Sequence, residues 1–434
     1  MQNRTFKTLI KNGRKFNLLT LPGTNYFNFE IINMFGSNIE RIYQQKTGKN
    51  VYGIAHLIEH LAFKSTKDYT TAQLINIKKS EGICNASTNY DRVNYWFETV
   101  MEKKEKSIKF VCNIALNDLS KITQKEFDIE KKVVFNEAKR YVDDDQTMFY
   151  FNSTGALAGY DKEDNIIGLP KTIETFTLED AIAIKNIFLN HDKIVYNVTF
   201  DSELCSEEEI LCLIEKELDR FKTKEKASVA VSNEEYLQHI KYPQIGDFKV
   251  DNEAEQVMTL LNFDAVKNIL ISSSVCSYLS KLAEETSLDD LIRQKNGLTY
   301  GVYMFSDTIS YKPYITFACD VSKGSEEKLM ELFKESIGKS LENWDEIKHK
   351  KFIQTAKLKR TMQLLDQKAY TGWFDICDKQ EEVLDDYRED LAKNIDMVYE
   401  KIDNELITYE NMRDAMEKLL KLIQNEKFGK VSNL

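Results

Sequence analysis

The sequence predicts an α+β fold in which two similar α/β-sandwich-like domains each pack an antiparallel-rich sheet against helices. Three observations predict it. Stretches with period-two apolar spacing and stretches with helical spacing follow one another without the regular strand–helix–strand alternation of a doubly wound sheet. The chain has 434 residues, more than one ordinary core holds, so two or more domains are expected. A helix–glycine–strand pattern in the first half also recurs in the second.

The first half opens with a hairpin. Phe6 to Ile10 and Lys15 to Leu21 alternate apolar and polar residues around Asn12-Gly13, a strong signal for a tight turn. Phe27 to Phe35 reads as a third strand, and residues 39–50 as a polar loop. A short apolar helix follows over Gly53 to Phe63. Next comes an amphipathic helix over Thr70 to Lys79, stopped near Gly82. Residues 83–100 read as a strand pair, 104–121 and 124–142 as two helices, and Leu204 to Phe221 as another helix.

The helix over Gly53 to Phe63 carries the chemistry. His56 and His60 are four residues apart, so on a helix their rings share one face and can reach one metal ion. Glu59 lies beside His60, where its carboxylate can address a water at that metal. The order His-x-x-Glu-His inverts the zinc-protease helix motif His-Glu-x-x-His. A catalytic zinc takes three protein ligands, and the candidate third is Glu137 on the later helix. Glu130 lies two helical turns before Glu137, on the same face, placed to orient the site. Taken singly, each of these side chains reads as surface or satisfied core; their combination does not.

Composition excludes several partners. Seventy acidic against 59 basic residues give a net charge of −11, with the lysines spread among glutamates. Nucleic acid or an anionic membrane would need a basic patch. No stretch approaches the roughly 20 apolar residues of a membrane span. No apolar leader is visible after Met1, so a cytoplasmic location is expected. The seven scattered cysteines form no Cys-x-x-Cys pair and read as buried free thiols, Cys84 among them.

In the second half, Gln256 to Phe263 reads as a buried strand and residues 266–285 as a helix without a His-x-x-Glu-His counterpart. Asp290 to Gly297 and its following strand repeat the order seen from Gln73 through Gly82. Two domains with one zinc-bearing copy are therefore expected: 1–221 and 236–434, joined by a polar linker over 222–235. Residues 325–340 and 345–427 are strongly helical. Trp373, Phe374 and Ile376 interrupt them with a bulky cluster read as core.

Four features resemble the pitrilysin/insulinase-type (inverzincin) zinc metallopeptidases, in the short two-domain form of mitochondrial processing peptidase subunits and bacterial processing proteases. They are Gly-Ile-Ala-His-Leu-Ile-Glu-His over 53–60, the 76 residues between His60 and Glu137, the segment from Gly82 to Asp91, and Arg293-Gln294-Lys295-Asn296-Gly297-Leu298-Thr299-Tyr300. A weaker match runs from Ile166 to Lys171 into Thr177 to Asp180. Ser65 departs from the family's usual Gly, and Gln294 from its usual Glu.

The resemblance implies a zinc endopeptidase with one Zn2+ per chain, held by His56, His60 and Glu137. Glu59 would take a proton from the attacking water and pass it to the departing amine. Arg293 and Tyr300 would stabilise the oxyanion. Asn85, Ala86, Ser87 and Thr88 would offer a strand edge to an extended peptide, which suits unfolded, leader or targeting peptides. Members of this length pair into a clam-shell chamber. The resemblance therefore implies a homodimer with Arg293 and Tyr300 serving the partner's site. The alternatives are a heterodimer with a degenerate related subunit, or a structural subunit that cleaves nothing.

Overall fold

A computed structural model describes residues 3–160, 163–190, 193–221, 229–239, 244–249, 256–264, 268–309, 312–322, 324–363 and 372–432. Strands β1 (Thr5–Lys11) and β2 (Arg14–Thr20) pair across Asn12 and Gly13, both at positive φ, the backbone a two-residue hairpin needs. β3 (Tyr26–Asn33) follows, then α1 (Asn38–Thr47), α2 (Ile54–Leu61) and α3 (Thr71–Ser80). After them come β4 (Ile83–Thr88), β5 (Val93–Val100), α4 (Lys104–Ala115), α5 (Gln124–Val142) and α6 (Asp145–Ala158). The half closes with α7 (Pro170–Ile173), α8 (Leu178–Leu189), β6 (Ile194–Phe200) and α9 (Glu207–Leu218).

The polar loop expected over 39–50 is instead helical through Thr47. Ile39, Ile42 and Tyr43, at helical spacing, are buried in the first core. Glu40 and Arg41 are buried as well, through partners distant in sequence, so local polarity misleads here. The helix expected over 104–121 stops at Ala115.

The second half starts with α10 (Asn233–Gln238), β7 (Gly246–Lys249), β8 (Gln256–Asp264) and α11 (Ile269–Ser277). The single helix expected over 266–285 begins outside the described residues at 266–267. It then breaks after α11 into wide π-type turns over Tyr278–Leu282 and a 3-10 turn over Glu284–Thr286. β9 (Val302–Ile309), β10 (Lys312–Ser322), α12 (Glu326–Glu342), α13 (Glu346–Gln363) and α14 (Gly372–Gln380) follow. α15 (Arg388–Leu391), α16 (Ile395–Lys401), α17 (Tyr409–Gln424) and β11 (Phe428–Ser432) end the chain's regular structure.

The two sheets share one plan. The first runs β1-β2-β6-β3-β5-β4 and the second β7-β11-β8-β10-β9. Strands β2 to β6 map in order onto β7 to β11. The parallel pair, β2 with β6 and β11 with β7, falls at the same place in each, and the other pairings are antiparallel. The repeat hinted at by helix, glycine and strand is thus a repeat of topology.

Each sheet has its own core, and β2 joins them. Phe16 and Leu18 enter the first core while Leu19 and Leu21 enter the second, as alternation along a strand buried on both faces requires. Phe6 of β1 meets Phe374 at 5.6 Å and Trp373 at 6.4 Å between ring centroids. The bulky cluster at 373–376 is therefore core, as read. Of the segment between the halves, 222–228 lies outside the described residues. Tyr236 of α10 stacks on Phe35 at 4.3 Å and packs into the first core. All seven cysteines are free; Cys212 alone is exposed. Among the described residues, no helix is long and apolar enough to cross a membrane.

Candidate metal centre

α2 buries Ile54, Ala55, Leu57, Ile58 and Leu61, which leaves His56, Glu59 and His60 on its one half-buried face. α5 buries Phe127, Glu130, Val134 and Ala138 and turns Glu137 toward that face. The helix starts at Gly53, at φ 96°, where an added Cβ would meet the Gly168 backbone at 2.4 Å, so only glycine fits. Both Glu40 oxygens accept backbone N–H groups at this start, Gly53 at 2.9 Å and Ala55 at 2.7 Å.

One ligand atom each from His56, His60 and Glu137 lies within 4.8 Å of the others. Glu137 Oε2 stands 4.0 Å from His56 Nε2 and 3.6 Å from His60 Nε2. Ligands of a tetrahedral zinc lie about 3.3 Å apart, so the three side chains would draw closer together to close on the ion. Burial, and then the neighbouring His60, push His56 down to about 4. It is thus held as the neutral imidazole, the form that ligates. Two imidazoles and a carboxylate, all half-buried, are a donor set that fits zinc.

Glu130 Oε2 is 3.4 Å from His60 Nδ1, and Lys64 Nζ is 2.7 Å from the other Glu130 oxygen. Burial alone would raise the Glu130 carboxyl, but His60 and Lys64 hold it below its ordinary value. Thr88 Oγ1 donates to Glu59 Oε2 at 2.7 Å. Burial still raises the Glu59 carboxyl above the usual range, against the pull of Thr88.

β4 is the edge strand of its sheet, paired only with β5 among the described residues. Along it Asn85 is exposed, Ala86 is buried, and Ser87 and Thr88 are half-buried. Thr88 thus joins that edge to Glu59. Cys84, buried beside it and pushed up to about 11 by that burial, is a packing thiol.

Arg293 and Tyr300 converge on each other. Arg293 sits in wide π-type turns over Asp289–Lys295, with its guanidinium carbon 5.2 Å from the Tyr300 ring centroid and Nη1 3.5 Å from Asp289. Tyr300 is 87% exposed. The sequence-predicted residues therefore fall into two groups, one on each half of the chain.

Sequence reasoning missed Glu40, Lys64 and Glu126. Ser65, noted only as a departure, donates to Glu126 Oε1 at 2.7 Å, and Thr71 donates to the same oxygen at 2.6 Å. Glu126 also closes the capping box of α5 with Thr123. The turn after α2 is thereby tied to the start of the helix bearing Glu130 and Glu137. A capping-box search on Thr123-x-x-Glu126 would have found half of this link.

Fold and site together give a duplicated α+β chain in which two helices bring together two histidines and one carboxylate that could hold a metal ion. Residues 46–157 match the family Insulinase (Peptidase family M16). Over those residues the chain is similar to this family. An uncharacterized zinc protease of Rickettsia bellii is 25% identical over 301 residues, 68% of each chain. A probable mitochondrial-processing peptidase subunit beta of Schizosaccharomyces pombe is 26% identical over 174 residues, 39% of this chain and 36% of that protein. In fold alone, the chain is similar to a protease from Helicobacter pylori at TM-score 0.73, 18% identity and 99% of both chains. It is likewise similar to a peptidase M16 inactive domain from Pseudomonas fluorescens, at TM-score 0.71, 13% identity and 98% and 97% coverage.

Proposed function

We propose that this chain is a zinc-dependent endopeptidase cleaving unfolded peptides, or leader or targeting peptides, inside a dimeric chamber. The observation that carries the reading is the His56, His60 and Glu137 group with Glu59 on the same helix face. His56, His60 and Glu137 hold the zinc, and Glu130 orients His60. Zinc so held supplies Lewis-acid activation of water near neutral pH. Glu59, anchored by Thr88, accepts the proton of the attacking water and returns it to the leaving amine. The β4 edge over Asn85, Ala86, Ser87 and Thr88 binds an extended peptide by main-chain hydrogen bonds, giving affinity without strict sequence choice.

On this reading residues 1–221 form the zinc domain and 236–434 the domain bearing Arg293 and Tyr300, with 222–235 between. The two working groups lie on different halves, and the exposed Tyr300 is free to meet a second chain. Arg293 and Tyr300 would then stabilise the negative charge that develops on a peptide carbonyl oxygen held at a partner chain's site. A heterodimer with a degenerate partner is the alternative. A structural subunit of the same fold is disfavoured, because His56, Glu59, His60 and Glu137 are all present in the sequence.

Mixing tests the homodimer. Glu59→Gln and Arg293→Ala are each expected to be nearly inactive on a quenched peptide. After subunit exchange at equal amounts, about a quarter of wild-type activity should return, since half the dimers are mixed and each has one intact site. No recovery in a mixture proven to exchange sinks the in-trans homodimer. Purified protein lacking stoichiometric zinc sinks the enzyme reading itself.

A further inference from the structure

A short helix that must hold a metal ligand in its first turn has an exposed weakness. Its first N–H groups have no intrahelical acceptors. The usual remedy is a Ser, Thr, Asp or Asn at the N-cap. α2 has Gly53 there, with no side chain to offer, because the Gly168 backbone packs too closely for any other residue. The acceptors come from another helix. Glu40 of α1 takes the Gly53 N–H on one oxygen and the Ala55 N–H on the other, and is 0% exposed. Ala55 immediately precedes His56.

α1 is itself fixed on either side of Glu40. Asn38 Oδ1 accepts from the Tyr160 hydroxyl at 3.0 Å. Arg41 makes a buried ion pair with Asp164 and donates to the His239 carbonyl at 2.8 Å. The Tyr160 ring stacks on Tyr90 at 4.1 Å, and the Tyr90 hydroxyl donates to the Asp164 carbonyl at 3.3 Å. Glu40 thus reaches the start of α2 from a braced base, and the first turn of α2 is clamped between the Glu40 carboxylate and the Gly168 backbone.

We propose that Glu40 is a positioning residue for the metal centre: by fixing the two N–H groups ahead of His56, it sets where the His56 ring stands relative to His60 and Glu137. It touches neither metal nor substrate and acts through the backbone of α2. The inference rests on the zinc reading above, and its test keeps the two apart.

The test measures metal binding without turnover, by zinc competition against a chromophoric chelator and by the visible spectrum of the cobalt(II) form. Glu40→Gln replaces one acceptor oxygen with a donor facing an N–H. It is expected to weaken zinc by about 10- to 100-fold, the range for groups that orient a ligand, and to alter the cobalt bands. Glu40→Asp, which keeps the carboxylate but withdraws it, should fall between Gln and wild type. Ser336→Ala removes a buried hydroxyl that donates to the Thr286 carbonyl at 2.6 Å in the second half. It should lower the melting temperature while leaving zinc affinity and spectrum unchanged. A folded Glu40→Gln protein with wild-type zinc affinity and cobalt bands overturns the inference, whatever its melting temperature. Should Glu40→Gln not fold, wild-type affinity and bands in Glu40→Asp overturn it equally. Wild-type protein that takes up neither metal stoichiometrically overturns the zinc reading first, and this inference with it.

Discussion

Glu130 and His60 meet at 3.4 Å, carboxylate oxygen to Nδ1, on the side of the ring away from Glu137. On the proposed zinc reading, the contact sets which ring nitrogen carries the proton and leaves Nε2 for the metal. Lys64 occupies the other Glu130 oxygen at 2.7 Å, so the carboxylate cannot swing away. Glu130→Gln should therefore weaken zinc by about 10-fold or more, and Glu137→Gln, which removes a ligand, should weaken it further. Chelator competition on both variants checks the order. Equal zinc affinity in Glu130→Gln and wild type would show that His60 needs no such support.

Thr88 links the β4 edge to the proposed proton acceptor through its 2.7 Å bond to Glu59. Thr88→Val keeps the strand's shape and removes the donor. A hydrogen bond to a charged group is worth about 1.5–3 kcal/mol, so kcat/KM on a quenched peptide should fall roughly 10- to 100-fold with zinc content unchanged. A loss of zinc, or no loss of rate, would place Thr88 outside the chemistry.

The Ser65–Glu126 bond ties together the two helices that carry the metal group. Burial opposes the charge on Glu126, yet the Thr123 backbone N–H and the hydroxyls of Thr71, Ser65 and Thr123 bring it down to about 2. Its folded value lies below the unfolded one, so its contribution to stability is present above about pH 4.5 and lost as pH falls toward 2. Glu126→Gln should flatten that acid loss in urea unfolding followed from pH 6 to 3. Ser65→Gly should cost about 1 kcal/mol at neutral pH through the lost hydrogen bond and the freer backbone. An acid limb in Glu126→Gln as steep as in wild type would refute the account.

Legibility in the sequence followed how local the cause was. The Asn12-Gly13 hairpin and the His56–His60 spacing are written within a few residues, and both stand as read. Glu130 and Glu137 were placed on one helix face by their separation of seven, and both reach the histidine rings. α1 escaped because its buried face includes Glu40 and Arg41, whose burial depends on the Gly53 and Ala55 N–H groups and on Asp164. The Arg293–Tyr300 contact was equally hidden. It crosses wide helical turns and a bend, where neither helix nor strand periodicity applies. The repeated sheet order became plain only in the strand pairings, since topology leaves little trace in side-chain pattern.

Lys185 gives the first half of the chain a pH dependence of its own. It sits on α8, 2% exposed, with Nζ donating at 2.7 Å to the carbonyl of Ala115, the last residue of α4, and lying 5.2 Å from the Tyr95 ring centroid. A helix C-terminus leaves such carbonyls without intrahelical donors, so the lysine closes the end of α4. Burial drives it from its ordinary value near 10.5 down to about 7, against the weaker pull of Asp118. Between these two values the unfolded chain binds a proton that the folded one lacks. Stability therefore rises with pH across that window, by up to about 1.4 kcal/mol per pH unit from this residue, and the contribution levels off below pH 7. Lys185→Met keeps the buried stem and removes the titrating group, at the cost of the Ala115 bond. Urea midpoints at pH 7, 8 and 9 should climb in wild type and stay nearly level in Lys185→Met, with the gap shifting in favour of wild type as pH rises. Parallel curves for the two proteins would mean that Lys185 titrates in the fold as it does in water.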